Sequence, residues 1–332
     1  MDVTDTIELE VAERSQISEA RRRILKLSVD YGLNQNEQDR VSLVVTELGT
    51  NLIKHSPRGG RFLVQGLLNS EAQGLEIFSL DNGPGMDVKS CLLDGFSTTE
   101  TLGNGLGAAK RNSDEFDIYS QEGIGSAVKV RFWNKGIKPK QFGGGISVPK
   151  PGEDFSGDKW CIASTSEGVY CMLVDGLGHG FEANEASNLA RRRFKENLHL
   201  PPGECLKIIH LSLRGSRGGV GAVAKIDFNN GKLAYCGLGN IAGIYISSDK
   251  RKHMTSLNGT LGYEARKFME ISMPWSENCT LMMHSDGIAS AADTALETME
   301  NSPALMAAWI YHNYGKKTDD ATVLIFKGAH AQ

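Results

Sequence analysis

Apolar residues follow two different periods along the chain, and the period predicts the type of each element. Between Asn36 and Lys54 they recur every three or four positions, which predicts an amphipathic helix. Leu75–Leu80 is a continuous apolar run, which is typical of a buried strand. The second half shows the same alternation, because strands predicted at Trp160–Ser164 and Gly168–Val174 precede a helix predicted over Phe181–Leu198.

Residues 135–151 interrupt these patterns. Their glycines and prolines, including Gly143-Gly144-Gly145, predict a linker. We therefore expect two domains, 1–134 and 152–332, and a length of 332 residues suits that number. Strands and helices occur on both sides of the linker and predict an α+β chain. In the second domain, whose strands include one predicted at Lys267–Ser272, the pattern favours two stacked sheets flanked by helices.

Composition narrows the classes of function. Hydrophobic residues make up 40% of the chain, and the net charge of −4 argues against a nucleic-acid partner. The six cysteines form no Cys-x-x-Cys pair, which favours reduced core residues in a cytoplasmic protein. The first residues lack a signal-peptide pattern, and no apolar run is long enough for a membrane span, so we expect no membrane partner.

A polar row interrupts the apolar face of the helix predicted at Asn36–Lys54. Glu47, Asn51 and His55 are four residues apart and share one helical face, which a solvated stripe would explain equally well. Two later segments favour a ligand-binding role for this row. Asp81-Asn82-Gly83-Pro84-Gly85 follows a predicted strand, and a glycine-rich loop at 103–107 precedes a predicted helix. Such loops suit phosphates, although the Rossmann and P-loop spacings are both absent.

These three motifs, in this order, resemble the Bergerat-fold (GHKL) ATP-binding superfamily, and are most similar to the switch kinases that phosphorylate anti-sigma-factor antagonists. The resemblance covers about residues 1–134 and implies an α/β sandwich that binds ATP with Mg²⁺. It implies that Asn51 holds Mg²⁺, that Asp81 accepts a hydrogen bond from the adenine amino group, and that Glu47 is the general base. His55 would pack structurally. The glycines implied to line the nucleotide and its lid are Gly83, Gly85, Gly103, Gly105 and Gly107.

Acidic residues of the second half stand at predicted strand ends. Asp175 ends an apolar run and is followed by Gly176, whose carbonyl could bind a cation. An Asp-Gly pair alone is usually a plain turn. Further acids stand at Asp158, Asp286 and Asp319-Asp320. Because clustered carboxylates repel one another, they predict hard divalent ions, Mg²⁺ or Mn²⁺ rather than zinc. Two such ions sharing Asp175 could activate a bridging water.

The acidic stretches, read together, resemble the SpoIIE-like branch of metal-dependent (type 2C) protein serine/threonine phosphatases over about residues 145–328. The resemblance implies a two-metal site, with Asp319 preferred over Asp320. The implied ligands are Asp158, Asp175, the Gly176 carbonyl, Asp286 and Asp319. Lys159-Trp160 departs from the aromatic pair that members often carry, and Arg217-Gly218-Gly219 stands where small-residue patterns vary. Neither departure removes an implied ligand.

The leading hypothesis is a bifunctional partner-switching regulator. Its first domain would phosphorylate a serine of a small antagonist-type (STAS-like) partner, and its second would hydrolyse phosphoserine. In one alternative, the first domain binds ATP without transferring phosphate and either sequesters a sigma factor or gates the phosphatase. In another, the acidic loops belong to a scaffold that binds structural Ca²⁺. The sequence leaves open which activity dominates.

Overall fold

The chain folds into two compact units, each held together by contacts among its own residues. The computed structural model describes residues 2–68, 71–91, 105–139, 143–294 and 299–328. Contacts group residues 1–140 with 299–301 in one unit, and residues 141–298 with 302–332 in the other. The predicted α+β, two-domain class is confirmed. Within the described ranges, no helix is both long and apolar enough to cross a membrane.

The first unit is an antiparallel sheet with helices on one face. In the described residues the sheet has the order β1-β3-β4-β6-β5, and β2 also pairs with β3. Residues of α1, α2 and the sheet form one apolar core, which includes Ile24, Val44 and Phe62. The elements of this unit are β1 (Asp2–Val3), β2 (Ile7–Val11), α1 (Arg14–Asp30), α2 (Gln35–His55), β3 (Gly60–Leu68), β4 (Gln73–Asp81), α3 (Val88–Cys91), α4 (Gly105–Asn112), β5 (Glu115–Gln121) and β6 (Gly125–Trp133).

Helix α2 begins at a well-formed cap. The Asn34 side chain accepts the backbone N–H of Glu37 at 3.0 Å, and the Glu37 carboxylate accepts the N–H of Asn34 at 2.7 Å. This reciprocal pair satisfies two amides that the first helical turn leaves unpaired. Buried residues then recur at helical spacing and include Val41, Val45 and Leu48. The helix predicted at 36–54 is thus one residue longer at each end.

The second unit stacks two antiparallel sheets between helices. The described strands form sheets of order β14-β11-β10-β9-β8 and β13-β12-β15-β16-β7. Helices α5 and α6 pack on the first sheet and α7 on the second, while β7 and β16 contact β8 across the sandwich. The elements are β7 (Gly143–Val148), β8 (Asp158–Ser164), β9 (Gly168–Gly176), α5 (Phe181–Glu196), α6 (Pro202–Ser212), β10 (Gly219–Asp227), β11 (Lys232–Leu238), β12 (Ala242–Ile246), β13 (Arg251–Met254), β14 (Ile271–Pro274), β15 (Thr280–His284), α7 (Pro303–Tyr314) and β16 (Ala321–Lys327).

Part of the predicted linker is a strand. Gly143–Val148 pairs with β16 at the edge of the second sheet. Its glycines are needed for close packing, because a Cβ at Gly144 would lie 2.7 Å from the Cβ of Ala304 in α7. A Cβ at Gly145 would lie 3.0 Å from Trp160 Cε2 in the facing sheet. The glycine-rich composition that predicted a linker therefore allows β7 to pack closely between α7 and the facing sheet.

Two other sequence predictions differ from the structure. The strand predicted at Lys267–Ser272 shares only its last two residues with β14, which begins at Ile271. Strands β3 and β13 were not predicted, although β3 lies inside the first sheet between β4 and its edge. Pairing partners distant in the chain decide such boundaries, and local propensity does not reveal them.

Candidate functional sites

The first site forms where α2 meets the start of α4. Glu47 and Asn51 are half-buried and lie one turn apart on α2. A Cβ built at Gly105, the first residue of α4, would lie 3.1 Å from Glu47 Oε2 and 3.4 Å from Asn51 Nδ2. The structure therefore brings the third motif directly against the first. Gly107 lies in the first turn of α4, whereas Gly103 lies outside the described residues.

The second motif lies beside the last residue of the same helix, one turn beyond Asn51. Asp81 is the last residue of β4, a central strand of the sheet. A Cβ at Gly83 would lie 2.8 Å from the backbone oxygen of His55, the last residue of α2. Gly85 has φ +78° and a Cβ there would lie 2.6 Å from the carbonyl oxygen of Gln121. Only glycine fits both close approaches without displacing backbone.

Asp81 is held in one orientation by its own turn. Its Oδ1 accepts the backbone N–H of Gly83 at 2.7 Å. Burial raises the pKa of the Asp81 carboxyl, and the Gly83 and Ser126 amides together with His55 oppose that rise. A fixed, half-buried acceptor of this kind can take one hydrogen bond from a flat polar ligand. The His55 side chain is exposed, whereas Glu47 and Asn51 on the same helical face are half-buried.

The second site is built on two neighbouring strands. Asp158 begins β8 and lies opposite Asp175 in the antiparallel register of β8 and β9. Directly paired residues on adjacent strands have Cβ atoms roughly 4.5–5.5 Å apart. Two carboxylates thus face one another at the end of a buried hairpin.

Asp158 is almost completely buried, with 1% of its surface exposed. Its Oδ2 accepts a hydrogen bond from Ser285 Oγ at 2.6 Å, whereas its buried Oδ1 has no hydrogen-bond partner. A buried carboxylate oxygen without a partner is costly. A cation at this oxygen would satisfy it.

Asp175 is the electrostatic centre of the cluster. Burial raises the pKa of its carboxyl most strongly, and Asp158, Asp286 and Asp319 raise it further by like-charge repulsion. The pKa of Asp158 is also raised, mainly by burial, with Asp320 adding to the rise and the Ser285 hydrogen bond opposing it. These shifts report negative charges held close together in a poorly solvated place.

The two acids near the carboxyl end of the chain differ in their contacts. Asp320 is buried, and its oxygens accept the backbone N–H groups of Lys150 at 2.8 Å and Gly157 at 2.9 Å. Asp319 is half-buried, and one of its oxygens accepts the N–H of Asp320 at 2.9 Å. Asp320 therefore joins loops together, and Asp319 keeps more freedom to bind a ligand.

Asp286 is the most exposed of the predicted ligands. Its Oδ2 accepts a hydrogen bond from Asn240 Nδ2 at 2.8 Å. Gly176 ends β9, where helix α5 packs so closely that a Cβ would lie 2.4 Å from the carbonyl oxygen of Ala183. Asn240 lies 46 residues from Asp286 in the sequence, so only the fold brings the two side chains together.

The donor set fits a hard cation, although it is not a finished ligand shell. In the described ranges, no group of three or more His, Cys, Asp or Glu side chains is arranged as it stands to hold a metal ion. The predicted ligands are nevertheless all oxygen donors around Asp175, which suits Mg²⁺ or Mn²⁺. The unpartnered oxygen of Asp158 supports the same fit.

Ser285 contacts a predicted metal ligand, although no role was predicted for it from the sequence. Its hydroxyl donates to Asp158 and accepts the backbone N–H of Thr322 at 3.0 Å. Thr322 Oγ1 in turn donates to Ser147 Oγ at 2.8 Å. This hydroxyl chain fixes Asp158 from the facing sheet. The Ser-Asp-Gly motif placed Ser285 beside a predicted ligand, but its partner lies 127 residues away in the sequence.

Each half of the chain matches the model of one protein family. Residues 11–132 match the family described as "Histidine kinase-like ATPase domain". Residues 165–328 match the family described as "Stage II sporulation protein E (SpoIIE)". The two matches lie on either side of the predicted linker and leave the residues before 11 and after 328 outside both families.

Two curated relatives come from Bacillus subtilis (strain 168). Serine/threonine-protein kinase RsbT is 30% identical over 115 residues, which are 34% of this chain and 86% of the relative. Phosphoserine phosphatase RsbX is 23% identical over 140 residues, 42% of this chain and 70% of the relative. A solved structure from work on the bacterial stressosome covers 56% of this chain and 99% of its own, with 25% identity and a TM-score of 0.54.

Proposed function

The chain belongs to the family of the serine/threonine-protein kinase RsbT, here joined to a C-terminal SpoIIE domain, and on this premise we propose a bifunctional regulator of partner switching. Its first domain phosphorylates a serine of a partner protein with ATP, and its second domain removes phosphate from phosphoserine. One observation carries the proposal: Asp158 and Asp175 face each other in register beside an unpartnered, buried carboxylate oxygen.

The phosphatase half uses the carboxylate cluster. We assign the metal ligands to Asp158, Asp175, the Gly176 carbonyl, Asp286 and Asp319, because the three other carboxylates lie close enough to Asp175 to raise the pKa of its carboxyl and Gly176 follows Asp175 at the end of β9. Two Mn²⁺ or Mg²⁺ ions bound there would activate a shared water for attack on phosphorus. The chain's own contribution is to hold Asp158 from Ser285 and to keep Asp320 on backbone amides.

The kinase half uses the pocket between α2, β4 and α4. Glu47 lies beside Gly105 and is assigned to orient and deprotonate the serine hydroxyl of the partner. Asn51 is assigned to Mg²⁺ on the phosphates, and Asp81 to the adenine amino group. We assign Gly83, Gly85, Gly105 and Gly107 to the lining of the nucleotide and its lid, the role that the sequence also gives to Gly103, which lies outside the described residues. Glu47 would accept the proton of the serine hydroxyl as that oxygen bonds to the γ-phosphorus of ATP, with ADP as the leaving group.

The partner is proposed to be a small phosphorylatable protein of the STAS-like antagonist type, with a sigma factor as the second candidate. The name of the relative RsbT supports a protein substrate. We propose a cytoplasmic location, which the six free cysteines support, since five of them are buried thiols and none is in a disulfide. The domains are proposed to divide at the 135–151 segment.

One alternative keeps ATP binding without phosphate transfer. The first domain would then sequester a sigma factor or gate the phosphatase. The half-exposed position of Glu47 next to Gly105 favours transfer, because a carboxylate at the phosphate end of a pocket is not needed for binding alone.

The test starts with the purified chain and the small protein that co-purifies with it. Incubation with γ-labelled ATP and Mg²⁺ should place label on a serine of that protein, which phosphosite mapping would identify. Addition of Mn²⁺ after ATP removal should release the label as inorganic phosphate. Bound ATP without transferred label would favour the gating alternative. Hydrolysis of p-nitrophenyl phosphate that Mn²⁺ stimulates and Ca²⁺ does not would exclude a Ca²⁺-binding scaffold.

A further inference from the structure

An aromatic pair stands exposed beside the carboxylate cluster. Phe155 and Phe181 keep 46% and 63% of their surface exposed. Their ring centroids lie 6.1 Å apart in an edge-to-face arrangement. Phe155 comes three residues before Asp158, and Phe181 follows Gly176 by five residues as the first residue of α5. Both rings therefore project from the segments that carry the proposed metal ligands.

These segments are fastened to one another. The Gly176 N–H donates to the carbonyl oxygen of Gly157 at 3.1 Å. Asn184 Nδ2 in α5 donates to the carbonyl oxygen of Ser156 at 2.8 Å. The aromatic pair thus sits on a preorganised support, which lowers the entropy lost when a ligand binds.

Charged side chains near the pair in the sequence take part in ion pairs. His179 Nδ1 lies 2.6 Å from Glu153 Oε1, and Arg217 Nε donates to Glu182 Oε2 at 2.6 Å. Leu177, which is 41% exposed, adds apolar surface in the same turn. An apolar centre inside a polar rim is the arrangement of protein-recognition surfaces.

We propose that Phe155 and Phe181 bind an apolar side chain adjacent to the phosphoserine of the substrate protein. The proposal rests on the proposed phosphatase function and names a feature of its substrate. When a phosphoserine reaches Asp175, the residues next to it lie near the segments that carry Phe155 and Phe181, because each extended residue advances the chain by only about 3.3–3.6 Å. Aromatic anchors contribute a large share of binding energy in such contacts.

The test compares phosphoserine peptides with a small substrate. One peptide series carries Leu at each position within three residues of the phosphoserine, and a matched series carries Ser there. For the best Leu peptide with Mn²⁺, Phe181→Ala should lower kcat/KM roughly tenfold, mainly through KM. Phe181→Leu should retain most of the activity. Hydrolysis of p-nitrophenyl phosphate should stay unchanged, since this substrate has no neighbouring side chain.

Leu211→Ala is the matched control, because Leu211 is an exposed apolar residue of α6 (50% exposed) outside the aromatic pair. This variant should leave kcat/KM unchanged for both substrates. The inference is overturned if Phe181→Ala lowers kcat/KM equally for the peptide and for p-nitrophenyl phosphate, which would reveal a structural role. It is also overturned if the substitution lowers kcat/KM for neither substrate. Failure of the wild-type chain to hydrolyse any of these substrates would instead refute the phosphatase function itself.

Discussion

The nucleotide pocket and the carboxylate cluster hold their polar side chains in opposite ways. In the pocket, Glu47 and Asn51 lie one turn apart on a single helix and remain half-exposed, so water can solvate them. In the cluster, Asp158 and Asp175 come from two strands, and burial raises the pKa of both carboxyls. The proposed binding of cations would therefore stabilise the cluster more than the proposed binding of a nucleotide would stabilise the solvated pair on α2.

This difference separates two ways of building a site. A helix presents a row of side chains through its own geometry, and the glycine loops need only approach it. Asp158 and Asp175 meet within one hairpin, but Asp286 and Asp319 join them only when distant parts of the chain assemble, so the complete second site exists only in the folded state. Substitutions in the two regions should consequently have independent effects on the two activities.

The largest expected effect is that of Asp175→Asn on the phosphatase. The substitution keeps the size of the side chain and removes the central charge, so metal binding should fail. We expect the hydrolysis of p-nitrophenyl phosphate with Mn²⁺ to fall by more than about 100-fold, beyond what loss of an outer-shell contact costs. ATP binding should be unchanged. A normal hydrolysis rate would show that the metal assignment is wrong.

Asn51→Ala makes the reciprocal test. Loss of the proposed Mg²⁺ ligand should weaken ATP binding by at least about tenfold in titration calorimetry, and leave Mn²⁺-dependent hydrolysis intact. Thr50→Ala is the matched control, because the Thr50 hydroxyl donates to the helix carbonyl of Thr46 at 2.7 Å. Equal ATP affinity in wild type and Asn51→Ala would refute the pocket assignment.

Ser285→Ala probes the support of one metal ligand. Without the hydroxyl, Asp158 loses the 2.6 Å hydrogen bond that Ser285 Oγ donates to its Oδ2. The Mn²⁺ concentration needed for half-maximal activity should rise by about 10–100-fold. Saturating Mn²⁺ should restore much of the rate. Ser212→Ala serves as the control, since that hydroxyl donates to the Ile209 carbonyl on α6. An unchanged Mn²⁺ requirement would contradict the supporting role.

The smallest effect concerns pH in the presence of a chelator. The pKa of Asp175 is raised in the folded chain, so the folded state binds more protons than the unfolded state above the ordinary carboxyl pKa near 4. Stability of the metal-free protein should therefore fall as pH rises from about 4 toward the raised pKa. We expect Tm to drop by several degrees, at roughly 2–4 °C per kcal/mol for a domain of this size.

Asp175→Asn should flatten that pH dependence, and excess Mn²⁺ should do the same in the wild type. Both interventions remove the same repulsion, one by deleting a charge and the other by neutralising it. If the metal-free wild type became more stable with rising pH over this range, the direction of the shift at Asp175 would be contradicted.

The sequence by itself was sufficient for the elements with strong periodicity and for the local motifs. Helix α2 carries its own cap at Asn34 and its own apolar stripe, so its bounds were predicted to within one residue. The row Glu47-Asn51-His55 follows from helix geometry alone. Because these features depend on residues a few positions apart, no tertiary contact was needed to find them.

Tertiary structure alone decided the rest, because those features depend on residues far apart in the chain. Asp158 faces Asp175 within a single hairpin, but the hydroxyl of Ser285 reaches Asp158 only when the two sheets stack. The triple glycine at 143–145 has the composition of a linker, yet it forms a strand because α7 and the facing sheet leave no space for a Cβ. Local propensity contains no record of such a neighbour.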